Sequence, residues 1–161
     1  MGKVFAILYI LAFAVYLVIG LQPAEATKIA ESKEYTIISE LNIPSINLLS
    51  DVTTVKLTDD GLETPDTIVG KFSNQKNKIF LFGHSSTVFK DLDDVKIDDA
   101  IWYDSNEYKV VKIETLKKEE IRMSNILKEE KRDTIVIMTC AGVDLGDGDA
   151  THRLLVTAIR D

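Results

Sequence analysis

The sequence has a single cysteine and only two histidines in 161 residues. One thiol cannot close an internal disulfide, and one Cys with two His cannot complete a four-ligand zinc site. Positive charge is also short: 19 Lys and Arg stand against 26 Asp and Glu, a formal charge of −7. That balance argues against a nucleic-acid partner and against electrostatic adhesion to anionic lipid. No internal repeat or low-complexity tract stands out. The acidic stretch Asp144-Leu145-Gly146-Asp147-Gly148-Asp149 lacks the terminal glutamate and the spacing of an EF-hand loop. It reads as a solvated, mobile loop. Calcium would accept such oxygens, but a solvated acidic loop is the expectation, with no metal site or cofactor.

At its start the chain carries an apolar run of 18 residues without charge, Val4 to Leu21. As a helix it would span about 27 Å, close to the hydrocarbon thickness of a bilayer. Lys3 precedes it, and positive charge stays on the cytoplasmic side. Residues 1–22 therefore read as a membrane anchor. The alternative is a signal segment cut after Ala24-Glu25-Ala26, but the run is longer than a usual signal core. The expectation is a single-pass protein of the cell membrane with the rest of the chain on the extracytoplasmic side. Residues 23–36 read as a polar stalk, and 37–161 as one domain large enough for a single core.

From Ile37 onward, short apolar runs alternate with turns. Candidate strands are Ile37–Leu41, Ile46–Leu49, Thr54–Leu57, Thr67–Val69, Ile79–Phe82, Ala100–Tyr103, Tyr108–Glu114, Thr134–Thr139 and Arg153–Ile159. Many short strands rich in β-branched and aromatic residues predict a mainly β fold, an antiparallel barrel or sandwich. Two helical pieces are expected. Thr87–Val95 carries Phe89, Leu92 and Val95 as a one-sided stripe. Leu116–Lys131 is rich in Lys and Glu, with Ile121, Ile126 and Leu127 as its apolar side.

Three residues carry chemistry. Cys140 closes an apolar strand, Thr-Ile-Val-Ile-Met-Thr-Cys, ahead of the acidic loop. Alternation puts it on one face with Val136 and Met138, and puts Ile135, Ile137 and Thr139 on the other. His84 follows Gly83 at the end of Ile79–Phe82. Arg153 opens the last strand, where the rival His152 points with Leu154, Val156 and Ala158 toward the presumed core. A thiol is a strong nucleophile, an imidazole can hold and deliver a proton, and a guanidinium can steady an oxyanion. Taken singly, each residue also has a bland account: a core cysteine, a loop histidine, an exposed strand-end arginine.

Together the motifs resemble the sortase family of cysteine transpeptidases. The family's T-L-x-T-C strand is matched by Val136-Ile137-Met138-Thr139-Cys140, and its R-x-x-V-x-A segment by Arg153-Leu154-Leu155-Val156-Thr157-Ala158. Its G-H-S-S is matched by Gly83-His84-Ser85-Ser86. Phe89, Leu92, Val95, Asp99 and Ile101 fit a further family pattern, with Asp98 where glycine is usual. Leu41-Asn42-Ile43-Pro44-Ser45-Ile46 fits the family's L-x-I-P-x-I. The resemblance implies a closed antiparallel, eight-stranded β-barrel with short helices, preceded by one transmembrane helix.

It also implies a reaction. Cys140 attacks the Thr–Gly carbonyl of a sorting signal such as Leu-Pro-x-Thr-Gly at the C-terminus of a surface protein. His84 protonates the leaving amine, and Arg153 holds substrate and oxyanion. An amine nucleophile, from a cell-wall precursor or a pilin, then resolves the thioester. Thr139 and Ser85 are further candidates for substrate contact. A thiol and imidazole of ordinary affinity would stand as thiolate–imidazolium in only about 1% of molecules near neutral pH; a neighbouring guanidinium favours the thiolate.

Rival readings are an exported cysteine peptidase or hydrolase, and a non-catalytic barrel that binds a peptide strand. L,D-transpeptidases place His and Gly just before the cysteine, which this chain does not. Papain-like hydrolases run Cys before His, an order only His152 would satisfy. The absence of a lid segment and of a C-terminal apolar run leans slightly toward wall anchoring over pilus assembly.

Overall fold

The computed structural model describes residues 34–58, 61–75, 77–146 and 149–160. The expected anchor (1–22) and nearly all of the stalk (23–36) lie outside the described residues, as does Asp147. Among the described residues no helix is long and apolar enough to cross a membrane.

The described residues form ten strands in order: β1 (Ile37–Ile43), β2 (Leu48–Thr54), β3 (Leu57–Thr58), β4 (Gly61–Leu62), β5 (Val69–Gln75), β6 (Lys78–Phe82), β7 (Ala100–Tyr103), β8 (Asn106–Lys117), β9 (Thr134–Gly146) and β10 (Asp149–Ile159). Eight of them close a barrel in the order β1-β2-β5-β6-β9-β10-β8-β7, with β7 returning to β1, while β3 and β4 form a separate hairpin. The barrel is mixed and not wholly antiparallel. β2 pairs with β5, and β6 with β9, in parallel. Parallel neighbours need long crossovers, and residues 83–133 supply the one between β6 and β9.

Alternation along each strand sorts side chains into two layers. Ile135, Ile137, Leu154, Val156 and Ala158 face the barrel interior with Leu41, Val52, Leu81 and Val110. The outer face of β6, β9 and β10 carries a second apolar cluster: Phe80, Phe82, Val136 and Leu155, with Met138 packed against it. The Phe80 and Phe82 rings stack with centroids 5.6 Å apart. Each apolar side chain removed from water in this way contributes about 1.5–3 kcal/mol.

Several expected elements take other forms. Residues 87–95 are a series of turns ending in a 3₁₀ turn (Leu92–Asp94), not an α-helix. The stripe repeats every three residues, the 3₁₀ period. Leu92 N–H donates to Phe89 O, and Val95 N–H to Leu92 O, and all three side chains are buried in the interior core. Leu116–Lys131 is not one helix either. β8 runs on to Lys117, a 3₁₀ turn covers Lys118–Glu120, and α1 is a single turn, Met123–Ile126. Its apolar residues Ile121, Ile126 and Leu127 do pack, against the outer cluster, so tertiary contact and not helical periodicity orders the segment.

The third difference is the acidic loop. β9 and β10 extend far past Thr139 and Arg153 into a hairpin, because Val143 and Leu145 alternate with Asp144 and Gly146. Gly142 (φ 80°) and Gly146 (φ 87°) take left-handed conformations there. Between β1 and β2, Ile46 belongs to a 3₁₀ turn (Pro44–Ile46) and not to a strand, with Pro44 opening the turn and Asn47 leaving it at φ 52°.

Candidate active site

Cys140 sits on β9 directly opposite Arg153 on β10, in antiparallel register. Directly opposed residues share a sheet face. By strand parity this face is the outer one that carries Val136, Met138 and Leu155. Arg153 is also paired with Leu116 on β8, so Leu116, Arg153 and Cys140 form one row across three strands.

The parallel ladder between β6 and β9 ends at Phe82 opposite Met138. Two residues further along each chain stand His84 and Cys140. The two extensions are tied side by side: Thr139 Oγ1 donates to the Gly83 carbonyl at 2.8 Å, across 56 residues of sequence. Packing also fixes Gly83. A Cβ there would lie 2.5 Å from Val88 Cγ1 and 3.1 Å from the Phe89 ring. Phe89 N–H closes back on the His84 carbonyl at 3.0 Å. His84, Cys140 and Arg153 are half-buried. The topology therefore brings the Cys140–Arg153 pair and the Gly83-His84 segment to one end of β6, β9 and β10.

The other candidates fall differently. Ser85 is exposed in the turn after His84. Thr139 is buried, on the face opposite Cys140, and its hydroxyl bonds Gly83 O. Its side chain braces the histidine segment and is not exposed for substrate contact. His152 does not share the Cys140 face. Its Nδ1 lies 2.8 Å from Thr151 Oγ1, beneath Gly142, where a Cβ would come within 2.6 Å of that nitrogen.

Arg153 is held by its own hairpin. One Nη1 bonds the carbonyls of Ala150 (2.8 Å) and His152 (2.9 Å), and Nη2 pairs with Asp149 Oδ1 at 2.6 Å. Asp149 also accepts from Lys118 Nζ and from its neighbour's Ala150 N–H at 2.9 Å. Lys118 first, then Arg153, hold the Asp149 carboxyl well below the usual carboxylate range. Sequence reading passed over Asp149 as one of several loop acids. The available signal was its spacing: four residues apart on a strand is the same face. Asp144 is spent locally, accepting from Gly146 N–H. Among the described residues no group of three or more His, Cys, Asp or Glu is arranged to hold a metal ion.

Beyond the cysteine row, a cleft of about 400 Å³ opens on the same outer face. Val136, Leu155 and Thr157 form its floor, and Ile121, Arg122 and Ile126 its wall. Lys78, 6% exposed, reaches Glu130 at 3.3 Å along its rim.

Residues 41–161 match the family model of the Sortase domain. Among solved structures, the lid mutant of sortase A from Corynebacterium diphtheriae is 24% identical with a TM-score of 0.63, covering 80% of this chain and 72% of that one. Sortase A from the same organism is 23% identical at a TM-score of 0.60, and this chain spans 62% of its length. Sortase C-1 from Actinomyces oris is 25% identical at 0.59, covering 78% and 72% of the two chains. No curated protein matches the chain. The barrel order, the placement of the cysteine strand and the match over three quarters of the length agree: the chain belongs to the sortase family of cysteine transpeptidases.

Proposed function

We propose that this protein cleaves a C-terminal sorting signal of the Leu-Pro-x-Thr-Gly type in surface proteins and joins the new carboxyl end to an amine at the cell surface. The observation that carries this reading is the direct register of Cys140 with Arg153, beside the Gly83-His84 segment bonded to Thr139. The Cys140 thiolate attacks the threonine carbonyl carbon. Arg153 steadies the oxyanion of the tetrahedral intermediate. The C–N bond to glycine breaks as His84 gives its proton to the leaving amine, and a thioester remains on Cys140. An incoming amine, from a cell-wall precursor or a pilin, attacks that thioester, loses a proton to His84 and releases the thiolate. The substrate strand runs from Cys140 along the apolar outer face toward the cleft, with Ser85 on its flank.

In this reading residues 1–22 anchor the protein in the cell membrane with the barrel outside, and neither metal nor cofactor takes part. The test is mass spectrometry of the purified chain mixed with a library of sorting-signal peptides and amines. A thioester adduct on Cys140 and amine-dependent ligation products are expected. Hydrolysis products alone at saturating amine would make it a peptidase. Cleavage that survives Cys140→Ala would overturn the assignment.

A further inference from the structure

We propose that Asp149, backed by Lys118, is a positioning residue that holds the Arg153 guanidinium in place beside Cys140. The proposal rests on the role given to Arg153 above. Arginine has a long side chain with many rotamers, and a guanidinium serves an oxyanion only when its donors are already aimed. Arg153 lies where the β9–β10 ladder becomes irregular. The register shifts twice, between Asp149 and Ala150 and between Ala150 and His152. Bulges of this kind re-aim side chains and free backbone groups from the ladder.

Across these shifts the Ala150 carbonyl and the Asp149 carboxylate both meet the same guanidinium. Three of its five N–H donors are committed to Ala150, His152 and Asp149. The Arg153 side chain is only 14% exposed, so its pairing with Asp149 is partly shielded from water.

Asp149 is itself anchored from outside the hairpin. Lys118, in the turn that follows β8, takes the second carboxylate oxygen, Oδ2, while Arg153 takes Oδ1. The Lys118–Asp149–Arg153 chain thus ties the projecting hairpin to the end of β8, the strand that flanks Arg153 on the side away from Cys140. A charge-assisted bond at each end makes this a stiffer mount than backbone carbonyls alone. Of the described acids in this hairpin, Asp149 serves the arginine, while Asp144 accepts from Gly146 N–H in its own turn.

The experiment is steady-state kinetics of peptide cleavage by the full chain and its variants. Asp149→Ala is expected to lower kcat by roughly tenfold or more with little change in KM, as a loosened oxyanion donor predicts. Asp149→Glu should recover part of that loss, Lys118→Met should give a smaller loss of the same kind, and Asp144→Asn should match the parent. The decisive readout is the double variant. Asp149→Ala combined with Arg153→Ala should be no slower than Arg153→Ala alone, because Asp149 acts only through Arg153.

An Asp149→Ala enzyme as fast as the parent, or faster, would overturn the proposal; a faster one would mean that the carboxylate blocks the arginine. Fully additive losses would overturn it as well, by showing a separate structural role. If Arg153→Ala itself left the rate unchanged, the assignment of Arg153 to the reaction would fall, and this proposal with it.

Discussion

Thr139→Val removes one hydroxyl and nearly preserves the shape of the side chain. Thr139 is 5% exposed, and its Oγ1 donates to the buried Gly83 carbonyl at 2.8 Å. In the valine variant that carbonyl faces a methyl group. Leaving a buried acceptor unpaired costs about 1–3 kcal/mol. The new methyl lies in apolar surroundings and returns about 0.8 kcal/mol. A net loss of about 0.2–2 kcal/mol is expected, or a fall in Tm of roughly 1–8 °C for a domain of this size. Urea unfolding checks the first figure and calorimetry the second. Thr139→Ser keeps the donor and loses one methyl, so it should also destabilise by about 1 kcal/mol.

Activity separates the two variants. The bond to Gly83 O holds the peptide that leads into His84, so Thr139→Val should slow peptide cleavage roughly tenfold, the scale of a small misplacement of a reacting group. Thr139→Ser should retain most of the rate. A valine variant as stable and as active as the parent would refute the reasoning. So would a serine variant as impaired in cleavage as the valine one, since the hydroxyl would then not be what matters.

Other expectations follow from the same structure. Gly83→Ala should unfold at lower temperature and lose activity, because a Cβ 2.5 Å from Val88 Cγ1 forces the His84 turn apart; thermal melts and cleavage rates check both. Asp98→Gly should stabilise by about 0.5–1 kcal/mol, because Asp98 holds φ 72°, a conformation that suits glycine, and urea unfolding will read it. Burial pushes the Tyr108 phenol up. Its contribution is therefore intact below the ordinary value of 10.0 and lost as pH rises through the higher folded value, so Tyr108→Phe should flatten the alkaline limb of a stability–pH curve. Asp149 has the opposite sign. Its lowered value makes a contribution that is present above 3.8 and lost as pH falls toward the folded value, so Asp149→Asn should blunt acid unfolding followed by circular dichroism.

The period of two along a strand let the sequence alone assign faces. Val136, Met138 and Cys140 fall on one side of β9, and Ile135, Ile137 and Thr139 on the other. His152 separates from Arg153 by the same rule, and residues 89, 92 and 95 announce a buried stripe whatever turn type carries them. The motifs around His84, Cys140 and Arg153 likewise named a family before any coordinate. Tertiary structure decided what no local pattern encodes. Which strands become neighbours, and that two of the pairs run parallel, depends on contacts between distant segments. So do the register of Cys140 with Arg153, the bond from Thr139 to Gly83 across 56 residues, and the reach of Lys118 to Asp149 across 31. Residues 87–95 and 116–131 read as helices from their apolar stripes yet fold mostly as turns and strand, because their order comes from packing onto the barrel and not from a helical ladder. Asp149 escaped for a related reason. A carboxylate in a run of acids looks solvated until the bulged hairpin folds it onto an arginine.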